Sequence, residues 1–454
     1  MFENVLGQSA TAQLSADIQT GLLPQALLFS GPPASGKGTA TLELARIISC
    51  EAAEADRAAW GCQCPACARH RLLLHPDLLC LGPRPFSAEI AASAGAFLRE
   101  TTAAREAARI LFIRAIRKLL TRFNPALWED EPKKGKTAIA PLVNSIEEDL
   151  DEFDSIAANA DTGADALAKH VNGMLKSAYK LESDGLSESI PIDRIRRAAY
   201  WGRLAPSGRG KLLVIENADR MQEEARNSLL KLLEEPPPRL TLALTTTRPG
   251  SLLPTMLSRL RPYRFFARDA AVEADVIRRV FRDNREGSIS AYIDSFLPVS
   301  GDTLAALAAF FAASVAYKAA QLSKRQGRPI ANEVILLGKF AAPCAEAAGL
   351  GRPQGQCAAV LQVILDKADK FEIRSLFSRF LACLLENVSA SQRTASPSPE
   401  SSIENFSFLP SVAYNEVWKK CCAWGEAAVG AYRLAPALVL EKLFTDLSRA
   451  MAEL

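Results

Sequence analysis

The sequence predicts an α/β P-loop fold followed by mostly helical segments, and three observations predict it. An apolar run, Ala26-Leu27-Leu28-Phe29-Ser30, leads into the glycine-rich stretch Gly31-Pro32-Pro33-Ala34-Ser35-Gly36-Lys37-Gly38-Thr39, and a helical pattern leaves it from Thr39 to Ile48. A second apolar run, Lys211-Leu212-Leu213-Val214-Ile215, ends in polar Glu216-Asn217. From Glu333 to Leu454 the pattern is almost entirely helical. Strand, glycine-rich loop and helix form the context of a phosphate-binding loop. Gly31 and Gly36 let backbone N–H groups turn toward phosphate oxygens, the helix start adds partial positive charge, and Lys37 reaches the outer phosphates.

Composition sets the limits. A chain of 454 residues holds roughly two to four domains. With 48% hydrophobic residues it can build sizeable cores, and a net charge of +3 does not by itself demand nucleic acid. There is no uncharged apolar run of about 18 residues, so no membrane span is expected. Met1-Phe2-Glu3-Asn4 lacks the basic start of a signal peptide, so a cytoplasmic protein with reduced cysteines is expected.

Residues 4–23 read as an amphipathic helix with a lead-in, Asn4-Val5-Leu6-Gly7-Gln8. The phosphate loop departs from its pattern at Gly38. A Ser or Thr hydroxyl belongs there to hold Mg²⁺, and Thr39, one residue later, is rotated by about 100° on the helix. Cys50, Cys62, Cys64 and Cys67 follow, and four thiolates this close suit tetrahedral Zn²⁺. The spacing C-x-C-x₂-C is tighter at one step than the usual zinc spacing. Cys80, in Leu78-Leu79-Cys80-Leu81, reads as a buried strand residue, and His75, before Pro76-Asp77, as a turn residue.

Residues 85–189 read as a helical insertion. They include Ala103 to Leu120 with five basic side chains, the Lys133-Lys134-Gly135-Lys136 run and an acidic run from Glu147 to Glu152. Such runs are read as solvated helix faces, and the core is expected to close without them.

Helix, strand and helix return at Ile192 to Trp201, Lys211 to Ile215 and residues 222–235, the last stopped by Pro236-Pro237-Pro238. In a P-loop ATPase the second strand ends in an acid that holds Mg²⁺, followed by a Glu that activates water. Glu216 has the first place with one extra methylene. Asn217 has the second, and an amide cannot act as general base. Leu240 to Thr245 reads as another strand, whose tip residue Thr246 is placed to touch a γ-phosphate or an attacking water. Ser389 to Ser402 is a Ser/Pro-rich loop, and the remaining cysteines, Cys344, Cys357, Cys383, Cys421 and Cys422, lack ligand spacing.

Several stretches taken together resemble one family. They are Val5-Leu6-Gly7-Gln8, Leu28-Phe29-Ser30-Gly31-Pro32, the cysteine cluster before His75-Pro76-Asp77, Asn227-Ser228-Leu229-Leu230-Lys231-Leu232-Leu233-Glu234-Glu235-Pro236-Pro237, and Leu257-Ser258-Arg259. In this order they resemble the clamp-loader ATPase subunits of bacterial DNA polymerase III, over about residues 1–82 and 190–267. The resemblance implies an AAA+ core (1–84 and 190–267), a helical lid (268–320) and a helical collar (321–454) that joins a hetero-oligomeric ring. It also implies the partners: gamma/tau and delta subunits, the sliding clamp, and primed DNA through the complex. ATP or ADP would be held by Gly31, Gly36, Lys37, Gly38, Thr39, Glu216 and Thr246. Arg259 matches the arginine that acts in trans on a neighbour's ATP, where its fixed fork neutralises transition-state charge. The family contains hydrolysing motors of the gamma/tau type and a nearly inert branch, delta-prime. Gly38, Glu216-Asn217, Leu260 in place of the usual Cys, and the absence of Arg from Ser300-Gly301-Asp302-Thr303 favour the inert branch. The alternative is an active gamma/tau-type motor.

Overall fold

The computed structural model describes residues 1–53, 57–128, 133–158, 163–187, 189–297, 299, 301–347, 376–377, 379–385, 388, 412–430 and 434–453. It divides into two compact units, Met1–Phe296 and Leu297–Leu454.

The first unit is built on a five-stranded parallel sheet. Its strands are β1 (Ala26–Ser30), β2 (Leu78–Leu81), β3 (Lys211–Ile215), β4 (Leu240–Thr246) and β5 (Arg261–Arg264), in the spatial order β2-β3-β4-β1-β5. Parallel sheets bury both faces, which explains why the central strands read as continuous apolar runs. Side chains alternate between two cores. Leu28, Leu213, Ile215, Leu242 and Leu244 join one core, and Leu27, Phe29, Leu212, Val214 and Ala243 join the other. Helices α1 (Ser9–Gln19) and α2 (Lys37–Ile48) supply Leu14, Ala40 and Leu44 to the second core.

The short α3 (Pro65–Arg71) precedes β2, and between β2 and β3 lie α4 (Ser87–Arg99), α5 (Arg105–Leu120), α6 (Lys133–Ala158), α7 (Ala164–Gly185) and α8 (Ile192–Arg203). Helices α4–α7 have a core of their own in which the rings of Phe97, Phe112 and Phe153 pack edge to face or stacked. They are not a detached attachment. Ala92 and Ala96 of α4 pack with Ile277, Phe281, Ile289 and Tyr292. The basic residues of α5 are not a solvated face either. Arg117 donates to Leu72 O at 3.2 Å, Arg114 donates to Arg71 O, and Lys118 pairs with Glu89. Arg114, Arg117 and Lys118, read as a solvated face from sequence, here hold α5 against the cysteine loop and α4, whereas Glu147, Glu148, Asp151 and Glu152 of the acidic run are exposed as expected.

On the other side of the chain order, α9 (Glu223–Glu234) buries Ala225, Leu229, Leu232 and Leu233, the spacing of one helical face. α10 (Pro254–Leu257) precedes β5, and α11 (Ala270–Phe281) and α12 (Ile289–Asp294) complete the unit.

The second unit contains α13 (Gly301–Arg325), α14 (Asn332–Ala347), α15 (Val412–Gly430) and α16 (Pro436–Glu453) around a core that includes Phe311, Phe380, Trp418 and Leu443. Among the described residues α13 is the one helix long and apolar enough to cross a membrane, and 67% of its apolar window is buried inside the fold. Cys422 is buried there, and burial pushes its thiol up to about 12. Cys357, the loop Ser389–Ser402, Ser300 and the side chain of Cys344 lie outside the described residues.

Candidate functional site

The phosphate loop sits at the C-terminal end of β1, beside the ends of β3 and β4. This is the edge at which parallel α/β sheets bind ligands. Gly31 approaches β5 so closely that a Cβ there would lie 2.2 Å from Phe265 O. Gly36 caps α2 in the left-handed region (φ 95°). Lys37 folds back into the loop. Its Nζ donates to Gly31 O (2.7 Å), Pro32 O (2.5 Å) and Ser35 Oγ (3.2 Å). Burial lowers its ammonium to about 8, against the opposing pull of the Glu216 charge. Arg268 closes the loop from the far side, donating to Leu6 O (2.9 Å) and to Ala34 O. The lead-in joins the same edge, because the Gln8 side chain brackets Phe266, donating to its O and accepting from its N–H, both at 2.9 Å.

Glu216, at the tip of β3, is buried and meets the loop. A Cβ placed on Gly38 would lie 3.1 Å from its Oε1. Arg122 donates to its Oε2 at 2.5 Å, and Arg84 Nη1 is 3.9 Å from Oε1. Burial alone would raise this carboxyl, but the charges of Arg122, Arg84, Lys118 and Lys37 hold it below the usual carboxylate range. Asn217 adopts a left-handed conformation (φ 49°) and donates its amide to Pro83 O at 2.7 Å. Thr246 is fully buried, and its hydroxyl donates to Asp219 Oδ1 at 2.6 Å and accepts from Arg248 N–H at 2.9 Å. Thr39 is half-buried in the first turn of α2. The fold therefore gathers Gly31, Gly36, Lys37, Gly38 and Glu216 into one place. Thr246 lies at the same sheet edge with its hydroxyl engaged elsewhere.

The cysteine cluster hangs from the end of α2. Cys50, Cys62, Cys64 and Cys67 bring their Sγ atoms within 4.8 Å of one another, and the Cys50–Cys62 separation is 3.7 Å. A tetrahedron with Zn–S of about 2.3 Å has edges of about 3.8 Å, so the four thiols could hold a metal ion of that size. Ala58 N–H and Cys67 N–H point at Cys50 Sγ (3.3 Å) and Cys64 Sγ (3.4 Å), as donors to thiolates do. Cys64 also caps α3, and backbone and thiol donors pull it down to about 6 although burial opposes them. Arg46 ties the cluster to α2. It is fully buried, pairs with Glu43 at 2.6 Å, and donates to Ala58 O, Ala59 O and Cys67 Sγ, each at 3.1 Å. His75 accepts the Asp77 N–H at 3.1 Å, a turn role, and stacks on His70 at 4.1 Å.

Arg259 lies on the opposite flank of the sheet. Together with Glu234, Ser258, Pro236, Gln25 and Leu260 it borders a groove of about 430 Å³. It is partly exposed, and its Nη1 also donates to Thr255 O at 2.7 Å.

Sequence reasoning missed Arg84, Arg122, Asp219 and Arg268. The three arginines come from stretches without a motif, Asp219 lies two residues past the Glu216-Asn217 strand end, and each is recognisable only once the strand tips are brought together.

A family model described as DNA polymerase III, delta subunit, matches residues 7–127 and 152–269, more than half the chain. The chain belongs to this clamp-loader family of DNA polymerase III, and its fold is an α/β P-loop core of the AAA+ type with a helical lid and an all-α collar. The match runs through residues 85–127, so much of the segment read as an insertion lies within the family pattern. DNA polymerase III subunit delta' of Pseudomonas aeruginosa is 35% identical over 82 residues, which span 18% of this chain and a quarter of that relative. A DNA polymerase III gamma subunit-related protein from Thermotoga maritima aligns over 58% of this chain and 81% of its own, at 18% identity and a TM-score of 0.22.

Proposed function

We propose that this chain is a non-hydrolysing, delta-prime-like subunit of a cytoplasmic clamp loader. It helps a ring containing gamma/tau and delta subunits load the sliding clamp onto primed DNA. The observation that carries this is Asn217 at the general-base position, its amide tied to Pro83 O. An amide has no basic lone pair for the attacking water's proton. Gly38 lacks the hydroxyl that would hold a metal, so the loop can keep a nucleotide without turning it over. The chain's contribution to chemistry is then Arg259, delivered to a neighbour's ATP from the rim of its groove. Zn²⁺ on Cys50, Cys62, Cys64 and Cys67 pins the loop before β2. The four thiolates would hold the ion, oriented by their N–H donors and by Arg46, and its role there is structural.

The test is reconstitution. Mixed with the other polymerase III clamp-loader subunits, this chain should co-elute with them and raise clamp-dependent ATP hydrolysis while hydrolysing none alone. Failure to co-elute would reject ring membership. Turnover by the isolated chain would instead favour the gamma/tau-type motor.

A further inference from the structure

The segment after β2 reaches into the phosphate loop. Arg84 follows β2 directly. Arg122 sits in the single turn after α5, and its pair with Glu216 has side-chain exposures of only 5% and 9%. A Cβ on residue 38 would already touch both charged groups, with Glu216 Oε1 at 3.1 Å and Arg84 Nη1 at 3.4 Å, so a hydroxyl there would project into a crowded space. Both oxygens of the carboxylate that should hold the metal thus face guanidinium groups.

Arg122 is 94% buried, and its Nε and Nη1 have no hydrogen-bond partner, with the Cys80 thiol as a polar neighbour. Its face lies over the Phe86 ring at 5.4 Å. Buried donors without acceptors are costly. Charge points the same way. Lys37, Arg84, Lys118 and Arg122 surround Glu216. The other carboxylates are Glu89, bonded to Arg84 and Lys118, and Glu182, held by Phe86 N–H and by Ser87. Among the described residues around Glu216, these four cations outnumber the three carboxylates. A divalent cation would enter a site already in positive excess, whereas phosphate oxygens would relieve that excess.

We propose that the phosphate loop binds a nucleoside di- or triphosphate without a divalent metal, Arg84 and Arg122 supplying the positive charge that the metal supplies in hydrolysing relatives. This deepens the reading of residues 31–38 as a phosphate loop that does not turn over, and does not depend on ring membership. Glu216 becomes a positioning residue that holds the two guanidinium groups at the start of α2.

The experiment is a titration of the full chain with fluorescent MANT-ADP, once in EDTA and once in excess Mg²⁺. Affinity in EDTA should equal or exceed that in Mg²⁺. Binding at least tenfold tighter in Mg²⁺, or no binding in either buffer, would overturn the proposal. Arg122→Met should weaken binding in EDTA by about tenfold or more. If circular dichroism shows that variant unfolded, the less buried Arg84→Ala carries the same expectation, and unchanged binding in it counts against the proposal. Lys37→Ala separates the two readings. Loss of binding in both buffers is expected, while unchanged binding would mean that the nucleotide sits elsewhere and the phosphate-loop reading itself has failed.

Discussion

Arg259 Nη2 donates to Glu234 Oε1 at 2.8 Å, so the Ser258-Arg259 pair and the end of the Leu-Leu-Lys-x-Leu-Glu-Glu run meet at one point on the surface. Two stretches separated in sequence are the two sides of one groove. The contact is half-exposed, and such pairs contribute about 0–1 kcal/mol, so Glu234 can hold the guanidinium in place and still release it to a stronger anion.

Arg259→Ala should therefore leave the chain folded and able to enter the ring. ATP hydrolysis by the reconstituted complex with clamp and primed DNA should fall by about tenfold or more, since a charge contact to one transition state is lost. Arg259→Lys should restore it only in part, because an ammonium lacks the two-pronged geometry. Unchanged turnover in Arg259→Ala, with assembly verified, would leave the residue without a role in trans.

The cysteine cluster should carry about one equivalent of zinc in protein purified without chelator, read by elemental analysis. Cys64→Ser should lower both the zinc content and the thermal midpoint, since structural zinc contributes folding energy directly. Zinc near zero in the unmodified protein would mean that the four thiols stand there as thiols.

The isolated chain should hydrolyse ATP at background rate. Gly38→Ser with Asn217→Glu should stay at background too, because a new side chain at residue 38 meets Glu216 and Arg84, which Arg122 keeps in place. Steady-state phosphate release by the unmodified chain above background would refute the loss of the general base.

His70 gives the fold an acid weakness. It is buried, neither ring nitrogen has a partner, and burial together with His75, Arg46 and Arg114 lowers its imidazole to about 3. The unfolded chain takes up that proton near pH 6.5. Between these values the unfolded state binds more protons, so stability falls as pH drops from about 6.5 toward 3. His70→Phe keeps the ring stack and removes the titration. Its urea midpoint should fall less than wild type between pH 7 and pH 5. An equal fall in both proteins would count against His70 as a source of the weakness.

Replacing residues 88–186 by a Gly/Ser linker should leave a markedly destabilised protein. It would strip Ala92 and Ala96 from Ile277 and Phe281 and leave Glu216 without Arg122. Breaking a buried pair from one side costs about 3–5 kcal/mol. A deletion variant with an unchanged denaturation midpoint would show the segment to be dispensable.

Much of the core was readable because local signals agreed. Continuous apolar runs gave β1, β3 and β4, and Gly31, Gly36 and Lys37 gave the loop between β1 and α2. β5 was not readable. Arg261-Pro262-Tyr263-Arg264 is short, contains proline and buries only Tyr263, whose hydroxyl donates to Asp17 at 2.5 Å. It is an edge strand, where proline is tolerated, and its partner β1 lies far back in sequence. The arginines around Glu216 were illegible for a different reason. Arg122 sits 94 residues from its carboxylate, and a charged residue on a helical stretch looks the same in sequence whether it ends in solvent or in a buried pair.

The neighbours β2 and β3 are joined by hydrogen bonds such as Glu216 N–H to Leu81 O at 2.9 Å, yet the whole of α4–α8 lies between them in the chain. An unstructured loop of that length would have to be closed before the pairing gave anything back, which slows folding. Here the intervening chain shortens itself, because α4–α7 collapse on their own phenylalanine core. The order of events then follows from topology. Amide protection in pulsed hydrogen exchange should arise in α4–α7 before it arises in β2 and β3, and the phosphate-loop edge of the sheet should be among the last parts of this unit to close.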